Sequence, residues 1–278
     1  MAVQLLARLA TVAAKPSKAD QLGGIKSGFS GNLLKDNLRF NITDDIARLS
    51  NRLSNIQRQQ LPFATALAMT RTAQGLEKAQ KKEMRKVFKK PVGYTLKSIA
   101  VDPARKNDEP INARVFFREF SGKGVPAYKY LSPNIFGGAR GQKSHEKRLS
   151  SKLGGTIFTA PASGAPVNAA GNITGGNYTK ILAGVQAFSE VGSTMNTTGS
   201  SRKKRKSKTS YYVVSKGGRP TSVRQRSGGS SKPVLNLFST APTYKKRYDL
   251  YGLGNRYIKQ NLPKNFSSAF RTALRTAK

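Results

Sequence analysis

The 278-residue sequence contains no cysteine and one histidine, His145. Without cysteine the chain has neither disulfides nor thiolate ligands for a metal ion. A single histidine leaves a catalytic triad or a histidine metal site without its parts, although Ser144 and Glu146 flank it. We therefore interpret His145 as a solvated loop residue and expect no metal and no cofactor.

Acidic residues are scarce: the chain has 13 Asp and Glu and 50 Lys and Arg. The formal charge is +37 and the isoelectric point is about 10.9. Eleven of the acids lie at or before Glu146, whereas residues 201–278 hold twenty cations and one acid. Charge repulsion on this scale opposes compaction unless an anionic partner is near. Nucleic acid, an acidic protein surface and an anionic membrane would each serve.

Long hydrophobic runs are also absent. No stretch approaches the roughly 18 apolar residues that span a bilayer, so we expect a soluble protein with no membrane partner. The apolar start MAVQLLARLATVAAKPSK is interrupted by Arg8 and follows no basic stretch, which favours an amphipathic arm or helix over a secretion signal. The length allows one large or two small domains, and 37% hydrophobic residues allow a modest core.

Two helices are predicted early in the chain. Residues 43–58 carry apolar side chains at intervals of three and four, which is the helical period. Residues 61–90 predict a second, longer helix, with Pro62 in its first turn, where a missing N–H costs nothing. This helix must end before Pro91, since a proline disfavours helical geometry in the residue before it.

Alternation of apolar and polar residues predicts three strands. The clearest is in residues 111–120, INARVFFREF, and it follows a weaker candidate in residues 95–101. The polar connection at 102–110 is short enough to close a hairpin between them. Residues 209–216, TSYYVVSK, predict the third strand.

The middle of the chain has a different composition, with many turn-forming and small residues. Residues 144–153, SHEKRLSSKL, are a candidate for a short basic helix between turn signals. Residues 160–200 are rich in Gly, Ala, Ser, Thr and Asn, so we interpret them as an insertion that is partly ordered at best in the isolated chain. The final stretch, residues 241–278, reads as a helical element that two glycines and a proline (Gly252, Gly254 and Pro263) would break or kink.

This order of elements indicates an α+β fold. We expect long N-terminal helices packed on a small antiparallel sheet, a C-terminal helix, and an irregular Gly/Ser/Thr-rich insertion. The predicted divisions are an N-terminal arm at 1–40, a helix–sheet core at 41–130, and an insertion or adaptable arm at 131–200. Residues 201–278 would supply a basic loop, a strand and a C-terminal helical segment that complete the core.

No motif in the sequence predicts catalysis. GGARGQKS, at 137–144, resembles a phosphate loop, but Gln142 stands where the second glycine belongs and no buried strand precedes it. We interpret it as a flexible turn. The acids occur singly or in helix-capping and turn pairs, so we expect that the chain is not an enzyme.

A basic run, SRKKRKSK, lies directly before the third predicted strand. It could be a localisation signal, a nucleic-acid-binding arm, or a hairpin loop anchored by residues 209–216. We favour the loop, facing an acidic protein surface rather than DNA. Its candidate contact residues are Arg202, Lys203, Lys204, Arg205, Lys206 and Lys208.

A second basic cluster is interleaved with tyrosines near the C-terminus. Tyr244, Tyr248 and Tyr251 recur at helical spacing and could stack on bases while the cations contact phosphates. The alternative, which we favour, is an amphipathic helix that packs its tyrosines on the sheet. The cations proposed to contact a partner or nucleic acid are Lys245, Lys246, Arg247 and Arg256.

Several stretches resemble proteins of tailed bacteriophages. LPFATALAMTRTAQGLEKAQKKEMRKVFKKPVGYTLKSIAV resembles the opening of minor tail protein Z relatives: an alanine-rich helix with a proline start and a basic end, then a strand. RKKRKSKTSYYVVSKGGRP and FSTAPTYKKRYDLYGLGNRYIKQNLPKNFSSAFRTAL agree in order with later features. The layout is also similar to neck and tail-completion proteins, whose long helix packs on a small sheet. The resemblance covers roughly 40–130 and 200–278, and the segments between and before these depart from it.

The resemblance implies a virion component that completes or joins the tail, as a ring-forming homo-oligomer and a scaffold. It would be made in the bacterial cytoplasm and reside in the phage tail or neck. Its implied partners are tail, neck or portal-complex proteins with acidic surfaces, and the DNA end. The charge alone suggests a rival in another class, a nucleic-acid-binding structural protein of the ribosomal or DNA-packaging type.

Overall fold

The chain forms two compact units in a computed structural model. The first, here the helix-rich unit, comprises Met1–Gly137 and Lys245–Lys278, and the second, the strand-rich unit, is Gly138–Tyr244. The structure describes residues 38–40, 55–119, 125–188, 195–200 and 209–277.

The described residues form six helices and nine strands of mixed order, which confirms the predicted α+β class. In chain order the first elements are β1 (Leu38–Phe40), α1 (Asn55–Val87), α2 (Gly93–Leu96), β2 (Ile99–Asp102), β3 (Ala113–Phe117) and α3 (Ala127–Phe136). There follow β4 (Gly138–Ala139), α4 (Ser144–Leu153), β5 (Phe158–Pro161), α5 (Gly175–Gly184), β6 (Ser210–Lys216), β7 (Arg219–Ser227), β8 (Ser230–Phe238), β9 (Thr243–Tyr244) and α6 (Leu250–Thr276).

Helix α1 is one continuous helix of 33 residues. The predicted boundary between residues 58 and 61 is wrong, because Pro62 lies inside the helix. A proline removes one backbone hydrogen bond, but Leu61, Ala64 and Met69 are buried beside it, and packing outweighs local propensity. The end at Val87, before Pro91, is confirmed. Residues 43–54 of the first predicted helix lie outside the described residues.

Helix α1 packs on α6 and on a small sheet. The antiparallel sheet has the order β1-β3-β2, with Val115 of β3 opposite both Leu38 and Val101. The predicted hairpin between residues 95–101 and 111–120 is confirmed, although Thr95 and Leu96 belong to α2 and not to the strand. The inner face of β3 is apolar, as its alternation predicted, because Ala113, Val115 and Phe117 are buried.

Helix α6 is unbroken from Leu250 to Thr276. Of the break or kink that was predicted at Gly252, Gly254 and Pro263, the break is therefore wrong. Asp249 caps the helix by accepting a hydrogen bond from the Gly252 N–H (3.1 Å). Buried side chains lie on both sides of the proline and hold the two halves against one core. They include Ile258, Leu262, Phe266 and Ala269.

The strand-rich unit contains a four-stranded antiparallel sheet in the order β5-β8-β7-β6 and a two-stranded ribbon of β4 and β9. The predictions of a helix at residues 144–153 and a strand at residues 209–216 are confirmed by α4 and β6. The placement of that strand is a correction. It was expected to complete the core of residues 41–130, but it belongs to the separate sheet of the strand-rich unit.

The segment predicted as an insertion also contributes regular structure to the strand-rich unit. It supplies α4, β5 and α5, and side chains of α4, of α5 and of Ile157 just before β5 share a core with β7 and β8. The buried residues include Leu149, Ile157, Ile173, Ile181, Val223, Val234, Leu235 and Leu237.

Candidate partner-binding surfaces

The first predicted contact cluster lies outside the described residues. Arg202, Lys203, Lys204, Arg205, Lys206 and Lys208 all fall within residues 201–208. The strand expected to anchor them is β6, which begins at Ser210. The assignment of these cations to a docking loop therefore stays a prediction.

The second predicted cluster lies at the start of α6 and in the segment before it, and all four of its cations are exposed. Lys246 and Arg256 form ion pairs with Asp249 at 3.7 Å and 3.4 Å. Arg247 donates to the Asn134 side-chain oxygen at 3.0 Å. Lys245 precedes them. Exposed ion pairs contribute little to stability, so these side chains can exchange their present partners for the anionic groups of a binding partner.

The tyrosines near this cluster do not form a stacking platform. Tyr248 is fully buried, its hydroxyl donates to the Gln80 side-chain oxygen (2.6 Å), and its ring meets Phe88 edge-on with centroids 5.8 Å apart. Burial raises the pKa of Tyr248. The prediction that Tyr248 stacks on bases is therefore wrong. The alternative, that it packs in the core, is confirmed, although it packs against α1 and not against the sheet. Tyr244 departs from the predicted helical spacing, because it lies in β9.

The loop before α4 and the first turn of that helix form a buried charge network centred on Glu146, which is 0% exposed. Arg140 donates to both carboxylate oxygens at 2.7 Å and 2.6 Å. The N–H groups of Lys143 and Thr159 donate at 2.7 Å and 2.8 Å. Burial opposes ionisation of Glu146, but these hydrogen bonds outweigh it and lower the pKa to about 2.

His145 belongs to the same network, so its interpretation as a solvated loop residue is wrong. Its Nε2 lies 2.9 Å from the Thr159 hydroxyl, and its ring stacks on Tyr178 with centroids 3.9 Å apart. Burial lowers the pKa of His145 to about 4. The ring is therefore neutral near pH 7.

The GGARGQKS stretch is held in place rather than being a flexible turn. Gln142 donates to the Ile157 carbonyl, just before β5, at 2.9 Å and to the Ser150 hydroxyl of α4 at 2.7 Å, so both ends of the next connection hold this loop. In a phosphate loop the backbone N–H groups before a helix bind an external anion. Here the Lys143 N–H binds the internal carboxylate of Glu146, so the motif has a structural role.

A cleft of about 900 Å³ opens beside this network in the strand-rich unit. Partial burial and then the nearby Arg140 charge lower the pKa of Lys143, one of its cationic lining residues. Thr159 and Thr221 add hydroxyl groups to the lining. The other charged lining residues are Arg140 and Arg219, and the apolar lining includes Pro161, Pro220, Leu237 and Phe238.

A cationic face covers part of the four-stranded sheet. Tyr212 of β6 is the register partner of Arg224 in β7, and the Arg226 guanidinium lies 5.2 Å from the Tyr212 ring centroid. Arg224 and Tyr212 both contact the Ser231 hydroxyl, at 3.0 Å and 2.6 Å. This cluster, here the arginine–tyrosine face, joins cations to an aromatic ring, as nucleic-acid-binding surfaces do.

The cleft and the arginine–tyrosine face were not predicted, because strands β7 and β8 that carry part of them were not predicted. Their polar content conceals the alternation, yet a signal was present in the pairs Gly217–Gly218 and Gly228–Gly229. Gly217, Gly218 and Gly228 adopt positive φ of 55°, 74° and 59°. Two-residue hairpin turns require such geometry and favour glycine.

No protein-family model, curated protein or solved structure matches this chain. In the part of the chain that the structure describes, no group of three or more His, Asp or Glu side chains could hold a metal ion. None of the described helices is long and apolar enough to span a membrane.

Proposed function

We propose that this chain is a structural virion protein of a tailed bacteriophage, a minor tail or head–tail joining component that docks the tail through basic surfaces. One observation carries the proposal. The 33-residue helix α1 packs on a small antiparallel sheet, which is the arrangement that the resemblance to neck and tail-completion proteins implies. In this role the chain is a scaffold in the phage tail or neck, and not an enzyme.

The charge distribution supports docking to acidic partners. The strand-rich unit carries 17 Lys and Arg against two acids. Of those two, Glu146 is buried with its charge satisfied by Arg140, and Glu190 lies outside the described residues. The described surface of this unit therefore presents cations alone, and tail, neck or portal-complex proteins with acidic surfaces would complement it.

The proposal includes assembly into a closed ring around the tail axis, because identical subunits usually assemble with closed rotational symmetry. Quantitative mass spectrometry of purified particles tests both parts. We expect the chain in intact virions in several copies per particle. Its absence from particles would contradict the virion role, and a single copy per particle would contradict the ring.

A second candidate is a nucleic-acid-binding structural protein of the ribosomal or packaging type. The arginine–tyrosine face favours it, since Arg224, Arg226 and Tyr212 combine phosphate-binding groups with a stacking ring. Recovery of the chain with ribosomes or nucleoid, and not with particles, would favour this candidate.

The run at 202–208 separates the two candidates in a second experiment. All six of its cations are replaced by serine, and particle assembly and duplex binding are measured separately. Lost assembly with nearly intact DNA binding supports docking to protein. Normal particles with abolished DNA binding support the nucleic-acid role.

A further inference from the structure

The cleft of the strand-rich unit has an unbalanced positive charge. Its cations are Arg140, Lys143 and Arg219, and Arg140 is paired with the carboxylate of Glu146. Both Glu146 oxygens are already occupied, by the Arg140 guanidinium, two backbone N–H groups and the Thr159 hydroxyl (3.1 Å). Arg140 is thus neutralised, whereas Lys143 and Arg219 form no ion pair with any carboxylate that the structure describes.

Apolar residues line the same cleft as these cations. Phe238 lines the cleft with 47% of its surface exposed, and Pro161, Pro220 and Pro242 also line it. Covering apolar surface is favourable by roughly 25 cal/mol per Å². A ligand that complements this cleft therefore carries negative charge and apolar groups together.

We propose that this cleft binds an acidic peptide segment of a partner protein. Carboxylates of the segment pair with Lys143 and Arg219, and an apolar side chain of the segment covers Phe238. The identification of the partner as a protein rests on the proposed function, because docking to tail proteins is what that function requires of a cationic surface. The binding chemistry rests on the cleft alone.

The segment binds through its side chains and not by adding a strand to β5. The outer edge of β5 is already covered, since the Thr159 N–H donates to Glu146 and the Thr159 carbonyl accepts from Arg140 at 3.4 Å. An edge strand closed in this way cannot pair with a further strand there.

The lining of the cleft favours peptide over nucleic acid. A nucleic-acid groove needs a continuous track of cations for successive phosphates. This cleft has three lining cations, of which Arg140 is already paired with Glu146, and prolines and Phe238 line it as well. The arginine–tyrosine face, with Arg224 and Arg226, lies outside the lining and suits phosphates better.

The test uses the full chain and fluorescence anisotropy with a labelled twelve-residue peptide of alternating Asp and Phe. Three single variants alter the cleft: Lys143→Ser, Arg219→Ser and Phe238→Ser. We expect affinity to fall about fivefold for each cation, as for a partly exposed ion pair, and about tenfold for Phe238. The matched control is Lys232→Ser, an exposed lysine of β8 outside the cleft lining, with less than a twofold change. The same peptide with Asn for Asp should bind at least tenfold more weakly.

Two outcomes would overturn the inference. Equal weakening by Lys143→Ser and Lys232→Ser would show that the peptide responds only to net charge. Cleft variants that weaken a labelled oligothymidylate but leave the peptide unchanged would assign the cleft to nucleic acid. Peptide binding that depends on the cleft, in a chain absent from virions, would support this inference and contradict the proposed function alone.

Discussion

The two units bury their polar groups in opposite ways. Among the residues of the helix-rich unit that the structure describes, the buried polar groups are neutral: the Gln80 amide donates to the Leu250 carbonyl at 2.8 Å and accepts from the Tyr248 hydroxyl. In the strand-rich unit a carboxylate, Glu146, is buried with its partner Arg140. A buried charge needs several fixed donors, whereas a neutral pair needs one partner for each group. The strand-rich unit should therefore depend more on single residues and on pH.

The largest expected effect is that of Glu146→Ala. It leaves the Arg140 side chain, which is 12% exposed, without its carboxylate partner and removes the acceptor of two backbone N–H groups. We expect a loss of about 3–5 kcal/mol in the free energy of unfolding of the strand-rich unit. Hydrogen exchange resolved by peptide measures each unit separately.

The matched control for that substitution is Glu77→Ala, which breaks the ion pair with Lys81 on the surface of α1. Its expected cost is below about 1 kcal/mol. Similar losses for the two substitutions would mean that the Glu146 network is no more important than a surface pair.

Acid should destabilise the strand-rich unit first. The folded-state pKa of His145, about 4, lies below its ordinary value of 6.5, so its contribution is present above pH 6.5 and is lost as pH falls towards 4. The pKa of Glu146, about 2 against 4.5, extends the loss from pH 4.5 to about 2. One unit of pKa shift is worth about 1.4 kcal/mol, so we expect each group to account for a decrease of up to about 3 kcal/mol, read from exchange of β5 and α4 amides across this pH range.

His145→Phe is the control for the pH effect, because it keeps an aromatic ring against Tyr178 without a titrating group. The decrease between pH 6.5 and 4 should then shrink, while the decrease below pH 4.5 stays. Exchange protection in α1 and α6 that falls at the same pH as in β5 would contradict the difference between the units.

Tyr248→Phe should have a smaller effect in the helix-rich unit. It removes one neutral hydrogen bond, to Gln80, and leaves the ring packed against Phe88. We expect a loss of about 1–2 kcal/mol, measured by thermal unfolding at pH 7. A loss as large as that of Glu146→Ala would show that neutral and charged networks are equally critical here.

The smallest expected effect on stability is that of replacing Arg224 and Arg226 together with serine. Both lie on the arginine–tyrosine face, where no described carboxylate pairs with them, so unfolding should change by about 0.5 kcal/mol at most. If this face binds duplex DNA, the slope of log affinity against log salt should become shallower by about 0.9 for each phosphate that the variant no longer neutralises. An unchanged slope would exclude these arginines from phosphate binding.

Much of the local structure could be predicted from short-range patterns. The alternation at residues 113–117 predicted β3 because one face of that strand is buried, and SHEKRLSSKL predicted α4 with its observed bounds. Pro62 and Pro263 led to wrong predictions of helix boundaries, because helix propensity depends on neighbouring residues alone. The packing that keeps α1 and α6 continuous involves residues distant in sequence.

The candidate surfaces could be predicted only in part. Lys245, Lys246, Arg247 and Arg256 are exposed as expected. The burial of Tyr248 was not predictable in this way, because it results from contact with α1, about 170 positions away in sequence. The glycine pairs in the sequence indicate the two hairpins of β6, β7 and β8. The cleft that these strands help to line could not be predicted from them, because residues 140–143, distant in sequence, form another part of its lining.

The sequence by itself determined the class of the fold, the positive charge and the absence of cysteine chemistry, because composition and periodicity need no long-range contacts. Only the tertiary structure decided which charges are exposed and which are internal. Arg140, Glu146 and Thr159 are ordinary polar residues in the sequence, and they become one buried network because the chain brings β5 beside the loop before α4. A carboxylate is stable inside a protein only where such distant donors converge on it.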